Sequence, residues 1–230
     1  MVRAVVFDID QTLWDFHAKR RQGLEACLRL LRDRDTEGVA AGWSINDLQH
    51  RFDVLEAQVR TAVLRSIRQQ SLAEAAAEAA PADAALPDEL HDLYFDHRHE
   101  RTEPYPDVIP TLTSLRDAGY RLGIVSNGNS DLERIGLDGW WDDIVLGPEH
   151  GVIKPEPGIY ALVAQRLGVD AADLVCVGDD QHKDVAGPQT AGWRGVWVRR
   201  DGQSPDPAIT PDATIDTLGP LPALVDGWRR

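Results

Sequence analysis

Five short, continuous apolar runs recur along the chain, and most are separated by helix-length segments. The runs cover 2–7, 121–127, 143–147, 174–180 and 195–200. An unbroken apolar run suits a parallel strand that is covered on both faces. Helices are predicted in between, over 108–119, 158–168 and 184–192, with glycine at or near their ends. This alternation predicts an α/β fold with a doubly wound, mainly parallel sheet.

Residues 15–104 contain no strand-like run and have the pattern of a helical insertion. Helices are predicted over 16–34, 44–70 and 87–101, and Ser44 is the expected N-cap of the second. The Ala-rich segment 73–87 is interrupted by two prolines, which indicates either a helix end followed by a linker or a mobile segment. The chain therefore divides into a core, 1–14 and 105–230, and an all-helical insertion, 15–104.

Polar residues and one glycine follow the apolar runs at the points where the predicted strands end. In chain order they are Asp8, Asp10, Thr12, Ser126, Asn127, Gly128, Asp179, Asp180 and Asp184, and Lys154 lies in the segment after the third run. Ligands of open α/β sheets bind beyond the carboxyl ends of the strands, so these residues are expected at one edge.

Several carboxylates at one edge repel one another unless a cation offsets their charge. Mg²⁺ prefers oxygen ligands, retains water molecules and leaves room for a phosphate oxygen. Lys154 supplies a second positive charge, and Ser126 with the backbone N–H groups near Gly128 can donate to an anion. The pattern favours a magnesium-dependent site for phosphoryl transfer.

Four short motifs, in this order, carry a family resemblance: "DIDQTLW", "SNG", "IKP" and "GDDQHKD". They resemble the four motifs of the haloacid dehalogenase (HAD) superfamily of phosphohydrolases. The resemblance covers the core and implies a HAD-like Rossmannoid fold. The insertion is similar in position and helical character to the C1 cap of that superfamily.

The resemblance implies a chemical role for each matched position. Asp8 would be the nucleophile that forms an aspartyl-phosphate, and Asp10 would be the general acid–base. The Asp8 and Asp179 side chains and the Asp10 carbonyl would hold Mg²⁺. The remaining roles are phosphate binding by Thr12, Ser126, Asn127 and Gly128, charge neutralisation by Lys154, and support of Lys154 by Asp184.

Three nearby positions keep more than one interpretation. Asp180 either reaches the metal through a water molecule or caps its loop. His17 either lines the substrate entrance or belongs to a helix start. Gln11 stands where the superfamily usually has glycine, so it takes an ordinary backbone conformation or bears modest strain. Loop and cap motion are the properties that this departure would affect.

The expected function is hydrolysis of a small phosphorylated metabolite by a magnesium-dependent phosphatase. The alternatives are a phosphomutase of the β-phosphoglucomutase kind, a 2-haloacid dehalogenase and a non-catalytic binding protein on the same fold. The cap would select the substrate, and its residues follow no pattern that identifies one.

Charge and hydropathy restrict the partners and the location. The formal net charge of −14 disfavours a nucleic-acid backbone as partner. The first residues lack the pattern of a signal peptide, and no apolar stretch approaches the roughly 20 residues of a membrane span, so a cytoplasmic enzyme without membrane contact is expected. The long amphipathic helix predicted over 44–70 is a candidate homodimer contact.

Overall fold

The computed structural model describes residues 1–58, 64–200 and 202–228 of the chain. It forms two compact units. The core unit comprises Met1–Asp15 and Glu103–Arg230, and the inserted unit comprises Phe16–Thr102. In the described residues no helix is both long and apolar enough to cross a bilayer.

The core unit is built on a six-stranded parallel sheet in the order β3-β2-β1-β4-β5-β6. The strands are β1 Ala4–Phe7, β2 Arg121–Ser126, β3 Asp143–Leu146, β4 Leu174–Gly178, β5 Arg194–Val198 and β6 Ala213–Ile215. The first five lie where the apolar runs predicted them, and the α/β fold class is confirmed. The sixth is a short edge strand that the sequence analysis missed.

Strand β1 lies at the centre of the sheet because its four residues are apolar on both faces. All four are fully buried. It pairs with β2 on one side, with Ala4 opposite Arg121, and with β4 on the other, with Phe7 opposite Val177. The carboxyl ends of β1, β2 and β4 therefore meet at one edge of the sheet.

Within its described residues the inserted unit has four α-helices, α1 Phe16–Arg34, α2 Ile45–Gln58, α3 Leu64–Ala79 and α4 Leu86–His99. Their buried apolar faces form one cluster that includes Leu24, Leu31, Phe52 and Leu72. Helix α1 packs closely on α4, since a Cβ at Gly23 would lie 2.9 Å from the ring of Tyr94.

The helix boundaries match the sequence pattern in part. Ser44 and Asp47 form a capping box, in which the Ser44 N–H donates to Asp47 Oδ2 at 2.7 Å. Whether α2 and α3 are the single helix predicted over 44–70 depends on residues 59–63, which lie outside the described residues. Helix α3 ends at Ala79, inside the Ala-rich segment 73–87 that was expected to contain a helix end, because its alanines favour the helix until Pro81.

Besides short 3-10 turns, five helical segments of the described residues pack around the core sheet. They are α5 Val108–Asp117, α6 Pro157–Leu167, a π-helical segment Gln181–Ala186, the short α7 Gly187–Thr190 and α8 Leu221–Gly227. Gly119 and Gly168 follow α5 and α6 with φ of +81° and +62°, the left-handed conformation that ends helices at glycine. The π-helical segment matters for the site because it follows β4 after only two residues, Asp179 and Asp180, and carries Asp184.

Candidate active site

Three aspartates converge at the carboxyl edge of the sheet. Asp8 follows β1, Asp179 follows β4, and Asp184 lies in the π-helical segment. One carboxylate oxygen from each lies within 4.8 Å of the other two. The Asp8 N–H donates to the carbonyl of Val177 at 2.9 Å, which fixes the backbone at the end of β1 against β4. Asp184 is 1% exposed and Asp8 7%, so both are removed from bulk water.

Lys154 bridges two of these carboxylates. Its Nζ donates to Asp8 Oδ1 at 2.6 Å and to Asp184 Oδ1 at 2.7 Å, and the residue is only 2% exposed. Burial lowers the pKa of this amine. The negative charges of Asp184 and Asp8 together raise the pKa by more, so its net value lies well above the usual one. Lys154 is therefore charged and neutralises about one of the three negative charges.

Asp184 is held in place through both of its oxygens. Oδ1 accepts from Lys154, and Oδ2 accepts from the Asp180 N–H at 3.1 Å. Gly178 makes this packing possible, because a Cβ at that position would overlap the Asp184 carboxylate.

The ionised forms of Asp8 and Asp179 remain unfavourable despite the positive charge of Lys154. Burial raises the pKa of Asp8 to about 7, and the attraction of Lys154 opposes this only in part. Burial, together with repulsion from Asp8 and Asp184, raises the pKa of Asp179 to about 8. A bound cation would restore the ionised forms of both groups.

The donor set fits a hard divalent cation. Three carboxylates offer closely spaced oxygen ligands, and two of them bind protons near neutral pH when no cation offsets their charge. The sequence-predicted metal set was Asp8, Asp10 and Asp179. The side-chain cluster contains Asp8 and Asp179 together with Asp184, which was expected only to support Lys154.

The Asp10 side chain makes its hydrogen bonds with residues outside the cluster of Asp8, Asp179 and Asp184. Its Oδ1 accepts hydrogen bonds from Ser130 Oγ at 2.5 Å and from Trp14 Nε1 at 2.8 Å. Gly128 lies against its other oxygen, since a Cβ there would come within 2.8 Å of Asp10 Oδ2. Neither of these two hydrogen bonds was predicted from the sequence.

The loop after Asp10 bends through a left-handed residue. Gln11 has φ of +63° and is 4% exposed, so it adopts the strained alternative of the two that the sequence left open. A non-glycine residue in this conformation costs on the order of 1–2 kcal/mol. The bend brings the Gln11 N–H to the carbonyl of Trp14 at 3.1 Å and closes a tight loop.

The predicted phosphate-binding residues divide into two groups. Thr12 and Ser126 are buried at the edge of the site, with Thr12 Oγ1 3.4 Å from Asp8 Oδ2 and Ser126 Oγ accepting from the Gly128 N–H at 2.9 Å. The Asn127 side chain instead pairs with the backbone of Lys154. Its Nδ2 donates to the Lys154 carbonyl at 2.9 Å, and its Oδ1 accepts from the Lys154 N–H at 2.7 Å.

Asp180 caps the π-helical segment. It accepts from the backbone N–H groups of His182 and Lys183, both at 3.0 Å, and from Lys183 Nζ at 2.8 Å. Although burial raises its pKa, these hydrogen bonds lower the net value below the usual range. The capping alternative therefore describes its contacts in the structure.

Arg200 was also missed by the sequence analysis. Its Nε donates to the Thr12 carbonyl at 2.9 Å, its guanidinium pairs with Asp107, and it stacks 4.0 Å from the centre of the Tyr105 ring. It ties the loop that follows β1 to the start of α5. No sequence pattern indicates this contact, because Arg200 and Thr12 are far apart in the chain.

Comparison with known proteins places the chain in a family. A family model described as haloacid dehalogenase-like hydrolase matches residues 2–192. The glyceraldehyde 3-phosphate phosphatase of Methanopyrus kandleri is 31% identical over 94% of each chain, and the human N-acylneuraminate-9-phosphatase is 28% identical over 97% of this chain and 94% of that one. The chain belongs to the haloacid dehalogenase-like hydrolase family.

Similarity to a solved structure supports the same family assignment. The 2-haloacid dehalogenase from Pseudomonas syringae pv. tomato DC3000 is 30% identical, with a TM-score of 0.80 over 99% of this chain and 100% of that one. The sequence-based assignment to a HAD-superfamily enzyme of the phosphatase type is confirmed by the family match and by the phosphatase relatives. The dehalogenase similarity keeps one of the alternative reactions open to test.

Proposed function

We propose that this protein is a magnesium-dependent phosphatase that hydrolyses a small phosphorylated metabolite through an aspartyl-phosphate on Asp8. The main support for this proposal is that the carboxylates of Asp8 and Asp10 have different surroundings. Asp8 lies with Lys154 in a cluster of carboxylates that a cation would stabilise, whereas Asp10 is oriented by neutral donors outside that cluster. A nucleophile and an acid–base group need such different environments.

The reaction would proceed in two steps at these residues. Asp8 attacks phosphorus, the bond to the ester oxygen breaks, and Asp10 donates a proton to the departing oxygen. Asp10 then takes a proton from water, the resulting hydroxide attacks the phosphorus of the aspartyl-phosphate, and the carboxylate of Asp8 is released with inorganic phosphate.

The other residues would hold the reacting groups in position. Lys154 fixes the rotamer of Asp8 and offsets charge on the phosphoryl oxygens, and Asn127 and Asp184 hold Lys154. Thr12, Ser126 and the Gly128 N–H would bind the phosphate. The Asp8 and Asp179 side chains and the Asp10 carbonyl would hold Mg²⁺, with Asp184 adjacent, and the cation would offset the charge of the site and polarise the phosphoryl group.

The relatives guide the substrate class. The names of two of them specify phosphomonoesters of small metabolites, glyceraldehyde 3-phosphate and an N-acylneuraminate 9-phosphate. We propose a substrate of that general kind, the inserted unit as the cap that selects it, and a cytoplasmic location. Homodimer formation through α2 or α3 stays a prediction.

A 2-haloacid dehalogenase is the second candidate, favoured by the structural neighbour of that name. In that reaction an aspartate attacks carbon and displaces halide, and neither a metal nor a second aspartate is required. The Asp10 contacts and the acidic cluster argue against it, since both would be superfluous. A phosphomutase would share both groups, and dependence on a sugar bisphosphate would identify it.

The test is hydrolysis of p-nitrophenyl phosphate and of a panel of phosphorylated metabolites, with Mg²⁺ or with EDTA. We expect turnover only with Mg²⁺, none in Asp8→Asn, and a loss of about 10²–10⁴-fold in Asp10→Asn. Asp180→Asn is the matched control, because its carboxylate caps a loop, and it should keep most of the activity. Chloride release from 2-chloropropionate without phosphate-ester hydrolysis would overturn the proposal in favour of the dehalogenase.

A further inference from the structure

The end of strand β5 provides hydrogen bonds to two loops of the candidate site. Trp197, within the strand, donates from its indole Nε1 to the carbonyl of Asp179 at 2.9 Å. Arg200, two residues after the strand, donates from Nε to the carbonyl of Thr12 at 2.9 Å. The two acceptors lie in the loops that follow β4 and β1. Strand β5 therefore contacts both loops, although it carries none of the four motifs.

The guanidinium group of Arg200 is itself firmly held. Its Nη1 and Nη2 donate to Asp107 at 3.2 and 3.1 Å, and its carbon lies 4.0 Å from the centre of the Tyr105 ring. The Arg200 side chain is only 9% exposed. Asp107 is fixed in turn, since its Oδ2 accepts from the Leu218 N–H at 2.5 Å. Because the guanidinium group is planar, these contacts also fix the direction in which Nε points towards Thr12.

The loop that follows β1 needs restraint from outside because it contains a strained residue. Gln11 has φ of +63°, and such a conformation persists only where the surrounding structure determines it. Two consecutive carbonyls of the loop accept from other segments of the core unit. Arg200 donates to Thr12, and the Tyr105 N–H donates to the carbonyl of Leu13 at 2.9 Å. Of these two donors, only Arg200 is a side chain that a substitution can remove.

Trp197 restrains the loop that follows β4. It lies opposite Gly178 in the register of β4 and β5 and is 2% exposed. Its hydrogen bond fixes the backbone of Asp179, whose carboxylate oxygen lies within 4.8 Å of those of Asp8 and Asp184. Residues that support a metal ligand in this way strengthen metal binding.

We propose that the end of β5 positions these two loops for the reaction. Arg200 holds the loop that carries the acid–base residue Asp10. Trp197 holds the loop that carries Asp179, which would bind the cation. Both side chains act through backbone carbonyls, so they are positioning residues and not catalytic ones. The roles of Asp10 and Asp179 rest on the proposed function, whereas the effect of each side chain on its loop does not.

Amide hydrogen exchange, followed by mass spectrometry, tests the positioning without any catalysis. In the metal-free protein, Arg200→Gln should speed exchange in residues 8–15 by about tenfold, because the loop opens more often without its hydrogen bond. Trp197→Phe should have the same effect on residues 179–186. Each variant should leave the other loop unchanged. Unchanged exchange in both loops, or equal acceleration throughout the core unit, would overturn the proposal.

Two matched controls lie close to these residues in the chain. Arg199→Gln makes the same change at an arginine that pairs with Asp216 and whose side chain is 40% exposed. Trp193→Phe makes the same change at a tryptophan that is 4% exposed and packs on Tyr160, with 5.7 Å between the ring centres. Both loops should exchange in these controls as they do in the native protein. Faster exchange in a control would show that lost packing or charge, and not the lost donor, opens the loop, and would contradict the proposal.

Metal binding gives a second readout for Trp197. Calorimetric titration with Mg²⁺ should show about tenfold weaker binding to Trp197→Phe, because Asp179 has lost its support. Trp193→Phe should bind Mg²⁺ like the native protein. Equal affinities in all three proteins would overturn the role of Trp197. Absence of Mg²⁺ binding by the native protein would instead defeat the proposed function and leave the exchange result standing.

Hydrolysis of p-nitrophenyl phosphate at low and at saturating Mg²⁺ separates the two residues. Trp197→Phe should lose turnover at low Mg²⁺ and regain it at saturation, since only the affinity for the cation is lowered. Arg200→Gln should keep a kcat about tenfold below that of the native protein at saturating Mg²⁺. Recovery of Arg200→Gln by excess Mg²⁺ would contradict the proposed division between the two loops.

The conservative variant Arg200→Lys distinguishes positioning from a purely structural charge. It should regain most of the unfolding temperature that Arg200→Gln loses, but not kcat, because an ammonium group cannot reproduce the fork that serves Asp107 and Thr12 together. A native kcat in Arg200→Lys would overturn the positioning role. Absence of hydrolysis by the native protein would defeat the phosphatase proposal alone, because the exchange experiment does not depend on turnover.

Discussion

The indole Nε1 of Trp14 donates to Oδ1 of Asp10 at 2.8 Å, and the indole is fully buried. Ser130 Oγ donates to the same oxygen at 2.5 Å. One oxygen of Asp10 is thus fixed by two neutral donors, and the other lies beside Gly128. An acid–base carboxylate held in this way is oriented before the substrate arrives.

Removal of one of these donors should slow the chemical step. We expect Ser130→Ala to lower kcat by about tenfold, the equivalent of roughly 1.4 kcal/mol, with little change in KM. Steady-state kinetics with p-nitrophenyl phosphate measures this effect. Ser114→Ala, an exposed serine on α5, is the control. A change confined to KM would contradict an orienting role for Ser130.

The sequence predicted the sheet because its strands depend on local patterns, and the same patterns led to the candidate site residues at the strand ends. Continuous apolar runs such as β1 and polar residues at strand ends follow directly from the topology of a parallel sheet. The contacts of Ser130, Trp14 and Arg200 could not be predicted, since each joins residues whose proximity only the folded chain establishes. Asn127 shows the same limit, because its position was predicted but its pairing with the Lys154 backbone was not.

Two further differences between the sequence-based predictions and the structure have local causes. Strand β6 was missed because three residues are too few to give a periodic signal. The left-handed Gln11 was left as one of two alternatives, since its conformation depends on the closure of the loop between Asp10 and Trp14.

Replacement of Lys154 should cost much more stability than replacement of an exposed lysine. Lys154→Met leaves Asp8 and Asp184 without their buried counter-charge, and we expect a loss of about 3 kcal/mol in the free energy of unfolding at neutral pH. Lys183→Met is the control, because Lys183 pairs with Asp180 while its side chain is 45% exposed, and it should change stability by less than about 1 kcal/mol. Denaturant unfolding of both variants checks the difference, and equal losses would contradict it.

The stability of the metal-free protein should fall as the pH rises. The folded pKa values of Asp8 and Asp179 are about 7 and about 8, whereas unfolded aspartates ionise near pH ~4. The folded state therefore keeps protons that the unfolded state has lost. Its resulting stabilisation is complete below the unfolded pKa and is lost as the pH rises through the folded values.

Thermal unfolding in EDTA across this pH range measures the effect. We expect the unfolding temperature to decline from mildly acidic to alkaline pH, and saturating Mg²⁺ to reduce the decline because the cation replaces the protons. Asp179→Asn should show a smaller decline without metal. An unchanged pH profile in that variant would show that Asp179 does not cause the decline in unfolding temperature.

Gln11 offers a test of backbone strain. Gln11→Gly and Gln11→Ala both remove the side chain beyond Cβ, but only glycine accepts a φ of +63° without steric cost. We expect the glycine variant to be more stable than the alanine variant by about 1 kcal/mol, by denaturant unfolding. The reverse order would mean that the left-handed bend carries no strain.

The central claim is that Asp8 carries the phosphoryl group during turnover. Acid quench of the enzyme during hydrolysis of p-nitrophenyl phosphate with Mg²⁺, followed by mass spectrometry of its peptides, tests this most directly. We expect a phosphoryl group on Asp8 in the native protein and in Asp10→Asn, and none in Asp8→Asn, which should also lack turnover. Sustained hydrolysis by Asp8→Asn, or a phosphoryl group on another residue, would contradict it.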